Sequence, residues 1–430
     1  MTAEVAVLNS VGVALAADSA VTVGLEAGKI YTSADKLFQF SSYAPVGVMV
    51  YGNASLLGVP WETIIKSYRI HLGGRTFPFL EDYAQDFIRF LRNSKQFFPA
   101  KSQRGEFHAV VRGYFTFVRE RFEQLIREEY DKGNRLTESQ ASQIFANLVT
   151  EELESTRKWP PLEGLPLQFT DRIRTAYVRD INSVAQKVFQ KLPMSRITRG
   201  RLVDTMVEVV THERLLQREQ HAGVVVAGFG DKEHFPQLSE HVLLGILGGH
   251  PLHCRGAEAS IAGQEAVVIP FAQREMVMTF MDGIDPDLRE NIERSTGELF
   301  KALAKVIVDE VRKKYAAYGA KLEKSIMVGL DKVLKELYDN WSEVRRKGYD
   351  DPVMEMVASL PKDELGIMAE SLVSLTKFKR RISKQHETVG GPIDVAVITK
   401  GDGFVWMKRK HYFAAEMNPR YIARVTKWSD

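Results

Sequence analysis

The sequence predicts an α+β protein in which stacked sheets are covered by helices. Three observations support this class. Short apolar runs with partial alternation lie near both ends of the 430-residue chain, as expected for strands. Long segments between them place apolar residues three and four positions apart, as amphipathic helices do. The strands occur in pairs between helical blocks, which disfavours a parallel sheet built from βαβ units.

The first strand pair is a hairpin formed by residues 2–8 and 11–17. Asn9-Ser10 separates the two runs, and a two-residue turn there places residue 8 opposite residue 11. Thr2 then lies close to Asp18, the first charged residue after the second run; a slip of the register by one residue would change the side-chain faces but not this proximity. Because an unpaired carboxylate at the end of an apolar strand is costly, Asp18 needs a cationic partner. Lys36, which opens the next strand, is the nearest candidate.

The remaining elements alternate between strand and helix blocks. Strands are predicted at 36–40 and 46–51, and the pattern from 53 to about 220 is helical, as in 78–94, 114–131 and 168–192. A second β-rich block covers 222–270. Charged helices cover about 287–347 and 362–384, and a last strand pair occupies 393–399 and 403–408.

Composition restricts the compartment and the partners. The net charge of +3, from 58 basic and 55 acidic residues, favours neither nucleic acid nor a membrane surface as a partner. No apolar stretch approaches the roughly 20 residues of a membrane helix, and no signal peptide is recognisable. The single cysteine, Cys254, fits a reducing compartment, so we expect a cytoplasmic protein. The motif His250-Pro-Leu-His-Cys254 lacks a second ligand pair, so neither a metal nor a cofactor is expected.

Five segments resemble proteasome β subunits and their bacterial two-ring homologue. TAEVAVLNSVGVALAADSAVT resembles the opening of these chains, and DKLFQF at 35–40 resembles their lysine-bearing strand. VMVYGNAS at 48–55 resembles the strand and glycine turn before the first helix. HAGVVVAGFGDKEHFPQL at 221–238 and TVGGPIDVAVITKGDGFVW at 388–406 resemble the central and closing strands. The chain is identified as an enlarged, divergent member of this N-terminal-nucleophile hydrolase family.

The resemblance implies a four-layer αββα sandwich of two antiparallel sheets with large helical insertions. Residues 1–430 would form a single domain, with the insertions inside the helix-rich blocks 60–220 and 287–385. These blocks either pack outside the sandwich, or cap the mouth of the active site or form oligomer contacts.

The resemblance also implies a threonine-type endopeptidase that cleaves peptide bonds through an acyl-enzyme. Thr2 would supply the nucleophilic hydroxyl and, after removal of Met1, a free α-amine as the base, whose reference pKa is about 7.7–8.0. Lys36 would favour the deprotonated hydroxyl, and Asp18 would hold Lys36 in place. The backbone N–H of Gly52 would stabilise the oxyanion.

Three supporting positions depart from the family pattern. Val389 stands where a supporting serine would lie, and His386 stands where an aspartate would lie; Thr388, one residue away, can substitute for the serine. Gln273 is the nearest match to a second serine. The residues that correspond to the substrate pocket are apolar, which implies an apolar residue on the acyl side of the cleaved bond: Val21, Ala34, Val50 and Ala54.

Two other functions fit the sequence besides an endopeptidase. One is a non-proteolytic amidase, and the other is an inactive proteasome-like scaffold that binds a protein partner. As partners, the leading interpretation predicts a peptide or protein substrate, further copies of the chain in a homo-oligomer, and a separate unfoldase or regulator.

Overall fold

The computed structural model describes residues 2–23, 29–190, 192, 194–217, 221–263, 265–314, 319–383 and 389–426. Its strands are β1 (Ala3–Asn9), β2 (Gly12–Asp18), β3 (Val21–Val23), β4 (Lys29–Tyr31), β5 (Leu37–Gln39), β6 (Val46–Gly52), β7 (Ser55–Leu56), β8 (Val59–Pro60), β9 (Ala222–Gly228), β10 (Gln237–Leu247), β11 (His250–Ser260), β12 (Ala266–Ala272), β13 (Ile393–Thr399) and β14 (Gly403–Lys408). Its helices are α1 (Trp61–Leu72), α2 (Leu80–Asn93), α3 (Ala100–Asp131), α4 (Glu138–Thr156), α5 (Phe169–Phe189), α6 (Arg196–Thr211), α7 (Glu275–Asp282), α8 (Pro286–Lys314), α9 (Gly319–Arg345), α10 (Asp351–Ser359), α11 (Lys362–Ile382) and α12 (Pro419–Thr426).

The chain divides into two compact units. Unit 1 contains the chain up to Leu37, the short segment His234–Pro236 and the chain from Ser260 onward. Unit 2 contains Phe38–Glu233 and Gln237–Ala259. Each unit has its own five-stranded sheet and its own helices.

The sheet of unit 1 has the strand order β12-β1-β2-β13-β14. Its first two strands are rich in alanine and valine and are buried along their whole length. Alternate residues of β1, including Ala3, Val5 and Val7, pack against α10 and α11 through residues such as Leu365 and Val373. Because strand side chains alternate between faces, the residues between them face away from these helices.

The first hairpin forms as predicted, but the predicted turn is wrong by one residue. Asn9 pairs with Gly12, so the turn residues are 10–11 and Asn9 belongs to the strand. The Asn9 Oδ1 accepts a hydrogen bond from a turn N–H at 2.9 Å. Its Nδ2 donates to the carbonyl oxygens of Val357 and Leu360, at 2.9 and 2.8 Å. These bonds outside the hairpin, which no local pattern reveals, hold Asn9 in the strand.

The sheet of unit 2 has the order β11-β10-β9-β6-β5. Valines of β6 and β9 pack with aromatic side chains of α1 and α2, for example Tyr68 and Phe87. A second core of this unit joins α3, α4, α5 and α6 to side chains of β10 and β11 such as Val242 and Leu252.

The predicted α+β class is confirmed. The structure has two antiparallel five-stranded sheets with helices, which are the components that an αββα sandwich requires. The helical insertions are also present, as α1 to α6 and as α8 to α11. Within the described residues, no helix combines the length and the apolarity needed to cross a lipid bilayer.

Candidate active site

Thr2 lies immediately before β1 and is fixed there by the neighbouring strand. Its carbonyl oxygen accepts a hydrogen bond from the N–H of Gln273, directly after β12, at 3.2 Å. The residue is only 4% exposed. Its Oγ1 donates to Glu4 Oε2 at 2.9 Å. The hydroxyl predicted to be the nucleophile is therefore held against a carboxyl group.

Asp18, the last residue of β2, connects the start of β1 to Lys36. Its Oδ1 accepts from the N–H of Ala3 at 3.1 Å and from Lys36 Nζ at 2.5 Å. Its Oδ2 accepts from the N–H groups of Ala20 and Gly390, at 3.2 and 2.8 Å. This buried carboxylate therefore accepts hydrogen bonds from four donors.

Lys36 lies between two carboxyl groups. Besides its contact with Asp18, its Nζ is 3.5 Å from Glu4 Oε1. The lysine is buried, with 6% of its surface exposed. We call Thr2, Glu4, Asp18 and Lys36 the N-terminal polar cluster. The structure thus brings three of the predicted catalytic residues together around a fourth residue.

Glu4 was not selected from the sequence. It is completely buried, and its strand partners are the apolar residues Phe271 and Ala17. Burial, together with the charge of Asp18, raises the pKa of Glu4 to about 8, against the opposing effects of Lys36 and of the Thr2 hydrogen bond. The missed signal is simple: Glu4 is the only charged residue in the run 2–8, and it lies on the same strand face as Thr2.

Gly52, the predicted oxyanion donor, ends β6 in unit 2. It has a φ of 81°, and a Cβ there would lie 2.3 Å from the carbonyl oxygen of His221, so only glycine fits. Val50 packs in the core of unit 2, whereas Ala54 is exposed. In unit 1, Val21 and Ala34 are half-buried. The role of all these residues in a pocket stays a prediction.

The proposed supporting residues His386 and Thr388 lie outside the described residues. Next to them, Val389 is fully buried in the core between the sheet of unit 1 and its helices. A hydroxyl that sequence reasoning did not select, that of Ser19, donates to the carbonyl oxygen of Pro392 at 2.7 Å. Ser19 therefore attaches the end of β2 to the segment that leads into β13.

The described residues contain no group of three or more His, Cys, Asp or Glu side chains that could hold a metal ion. His253 and Cys254 are buried in β11. Burial lowers the pKa of His253 to about 4 and raises the pKa of the Cys254 thiol. Both groups are therefore neutral at pH 7.

No protein-family model matches the chain, and no curated protein matches it either. Among solved structures, it is similar to Anbu (ancestral beta-subunit) from Yersinia bercovieri, with 12% identity over 99% of this chain and 95% of that one, at a TM-score of 0.27. It is also similar to an Anbu (Gly-1) mutant from Hyphomicrobium sp. strain MC1, with 9% identity over 100% of this chain and 98% of that one, at a TM-score of 0.27.

These findings correct the family assignment made from the sequence. The assignment to the proteasome β-subunit family is wrong, because no family model and no curated relative supports it. The structural likenesses, at a TM-score of 0.27, do not establish a common fold. The side chains of the N-terminal polar cluster are therefore the features of this chain that bear on its function.

Proposed function

We propose that this chain is a hydrolase that cleaves amide bonds through an ester formed on Thr2 Oγ1. The observation that supports this function is the buried hydrogen bond from the Thr2 hydroxyl to Glu4, beside Lys36 and Asp18. A threonine hydroxyl is a weak nucleophile and needs a nearby base, and a cation favours its deprotonated form. The N-terminal polar cluster provides both kinds of group.

The reaction has two halves. In the first, Thr2 Oγ1 bonds to the carbonyl carbon of the substrate, its proton passes to a base, and the carbon–nitrogen bond breaks as the leaving amine takes up a proton. In the second half, water attacks the ester, the bond from carbon to Oγ1 breaks, and the hydroxyl regains its proton. The α-amine of Thr2 can act as the base once the residues preceding Thr2 have been removed, because its pKa is close to neutrality.

Lys36 and Asp18 have supporting roles in this reaction. The Lys36 ammonium, within the same buried cluster, favours negative charge on Oγ1 as the proton leaves. Asp18 fixes this ammonium and holds the backbone of β1 beside it, through its bonds to Lys36 Nζ and to the N–H of Ala3. We expect the loss of either residue to lower the reactivity of Thr2.

A peptide is the leading substrate class, and a small acyl amide is the second candidate. The burial of Thr2, at 4% exposure, favours the second, since a slender acyl group reaches a recessed hydroxyl more readily than a folded chain does. Hydrolysis assays with fluorogenic peptide amides and with short acyl amides distinguish the two classes.

The test of the proposed function is the intact mass of the purified protein before and after incubation with a β-lactone, which acylates reactive hydroxyls. We expect a chain that begins at Thr2 and gains one adduct. Thr2→Ala should form no adduct, while Thr2→Ser, which keeps the hydroxyl, should still react. An unlabelled wild-type protein, or an adduct that persists in Thr2→Ala, contradicts the proposal and favours a scaffold that only binds partners.

A further inference from the structure

Glu4 contacts the proposed nucleophile, yet the reaction above assigns it no step of its own. Its Oε2 accepts the hydrogen bond of Thr2 Oγ1 at 2.9 Å, so it already lies where a proton acceptor for that hydroxyl must lie. The contact is within one strand, between residues two positions apart on the same face. No rearrangement of another element is needed to form it.

The charge balance of the cluster leaves Glu4 as the group that can change its protonation state. Asp18 has four donors and the shorter contact to Lys36, at 2.5 Å against 3.5 Å for Glu4. One ammonium cannot neutralise two buried carboxylates, and like charges close together disfavour double ionisation. Glu4, which has fewer donors than Asp18, is therefore the carboxyl group that more readily takes up and releases a proton.

The surroundings of Glu4 fit this property. Its neighbours across the sheet, Phe271 and Ala17, carry no charge, and the helices of unit 1 pack on the opposite face of β1. Lys36 and Asp18 are the charged groups that act on it. Burial raises its pKa to about 8, close to the value that suits a base working near neutral pH.

We propose that Glu4 is a catalytic base of this site and takes the proton of Thr2 Oγ1 as that oxygen attacks the substrate carbonyl. The inference rests on the proposed function of Thr2. As the bond from Oγ1 to carbon forms, the proton moves to Glu4 Oε2; when the carbon–nitrogen bond breaks, the same proton passes to the leaving amine. In the second half, Glu4 takes a proton from the attacking water and returns it to Oγ1 as the ester bond breaks.

This role has a consequence for the maturation of the chain. If Glu4 takes the proton, activation of the hydroxyl does not depend on a free α-amine at Thr2. A chain that keeps residues ahead of Thr2 then retains a reactive hydroxyl, whereas a site that uses only the amine becomes inert.

The experiment measures the second-order rate of β-lactone acylation between pH 5.5 and 9.5, followed by intact mass. A β-lactone has no leaving amine, so its rate reports proton removal from Oγ1. The variants are Glu4→Gln, which keeps the shape but cannot take a proton, and Glu152→Gln, a matched change of an equally buried glutamate in unit 2. A third variant inserts a lysine between Met1 and Thr2, which keeps the methionine in place and removes the free amine.

We expect Glu4→Gln to slow acylation about 100-fold, the lower end of the range for general bases, while Glu152→Gln keeps the wild-type rate. The lysine-insertion variant should still react, with a rate that rises through a midpoint near pH 8, and Glu4→Gln within it should remove that rise. The pH profile of the insertion variant alone decides the matter if Glu4→Gln does not fold.

Two results overturn the inference and are distinguishable. If Glu4→Gln reacts like wild type while Thr2→Ala does not react, or if the insertion variant is inert, Thr2 is a nucleophile whose base is not Glu4. If the wild-type protein forms no adduct at all, the proposed function fails together with this inference.

Discussion

Two fully buried glutamates, Glu4 in unit 1 and Glu152 in unit 2, have opposite charge surroundings. Glu152 lies on α4, and its Oε2 accepts from Tyr114 Oη at 2.8 Å and from Arg214 Nη2 at 2.6 Å. Its Oε1 accepts from Arg121 Nη1. Two arginines and one hydroxyl therefore donate hydrogen bonds to one carboxylate. In the N-terminal polar cluster, the single ammonium of Lys36 contacts two carboxyl groups, those of Glu4 and Asp18.

The difference separates a structural carboxylate from a reactive one. Donors occupy both oxygens of Glu152, and these bonds connect α4 to α3 and to the segment after α6, so they stabilise the helical core. Glu4 accepts one hydrogen bond, from the Thr2 hydroxyl, and Lys36 Nζ lies 3.5 Å away. These two contacts offset little of the cost of burying a negative charge on Glu4. A buried acid that lacks enough positive charge is suited to exchange protons. The four predictions below test this contrast, from the largest expected effect to the smallest.

Replacing Lys36 with Met should have the largest effect. Among the described residues, Lys36 is the cation that contacts the two buried carboxyl groups, so its loss should lower the free energy of unfolding by about 3–5 kcal/mol. It should also reduce β-lactone acylation to the level of Thr2→Ala. Urea unfolding at pH 7 and the acylation assay measure both quantities. An unchanged unfolding midpoint would mean that Lys36 does not stabilise the two buried carboxyl groups.

The pH dependence of stability should reveal Glu4. Its folded-state pKa, about 8, lies above the unfolded value near 4.5, so its neutral form favours the folded state. The stability it supports is complete below about pH 4.5 and is lost as the pH rises to about 8, by an amount on the order of a few kcal/mol. Glu4→Gln should remove this slope, as seen in urea unfolding at a series of pH values. A wild-type slope retained by Glu4→Gln would contradict the assignment.

Glu152→Gln should destabilise the protein without changing its chemistry. The amide offers one acceptor oxygen where two arginines and Tyr114 need partners, so we expect a loss of about 2 kcal/mol in the free energy of unfolding. The acylation rate of Thr2 should stay within twofold of wild type at 25 °C. A large fall in the acylation rate, with the fold intact, would show that Glu152 also affects the reactivity of Thr2.

The smallest effect is expected at the start of α4, the helix that carries Glu152. Thr137 caps this helix: its Oγ1 accepts from the N–H of Gln140, and its own N–H donates to the Gln140 side chain. Thr137→Ala should cost about 1 kcal/mol of stability, and Thr137→Ser should cost less. Thermal unfolding of the three proteins checks the order. Equal midpoints would mean that the end of the helix frays in the wild type.

Local pattern was enough to predict much of the fold. The apolar runs at both ends form β1, β2, β13 and β14, and the predicted helical segment 168–192 contains α5. These predictions succeed because the spacing of apolar residues along a strand or helix is visible within a short stretch of sequence. The turn at Asn9 was misplaced because its deciding partners, the carbonyl groups of Val357 and Leu360, lie about 350 residues away in the chain.

The candidate site was predicted in part. Thr2, Asp18 and Lys36 were selected and are brought together, since each lies at the end of a short strand or next to one. Glu4 was missed because a single glutamate in an apolar strand is usually expected to face solvent. The structure shows instead that every residue of β1 is buried. One of the four donors to Asp18, the N–H of Gly390, belongs to a distant segment and could not be predicted from spacing.

The strand order of unit 1 sets when this site can form during synthesis. β1 and β2 are synthesised before the rest of unit 1, yet they pair with β12 and β13, whose residues follow about 260 and 380 positions later. Pairings this distant in sequence form late, whereas the contiguous part of unit 2 is complete much earlier. We expect the hairpin of β1 and β2 to lack these two outer partners while that part folds. Thr2 then acquires its complete surroundings only after two distant segments have been synthesised, because Gln273 donates to its carbonyl oxygen and Gly390 donates to Asp18.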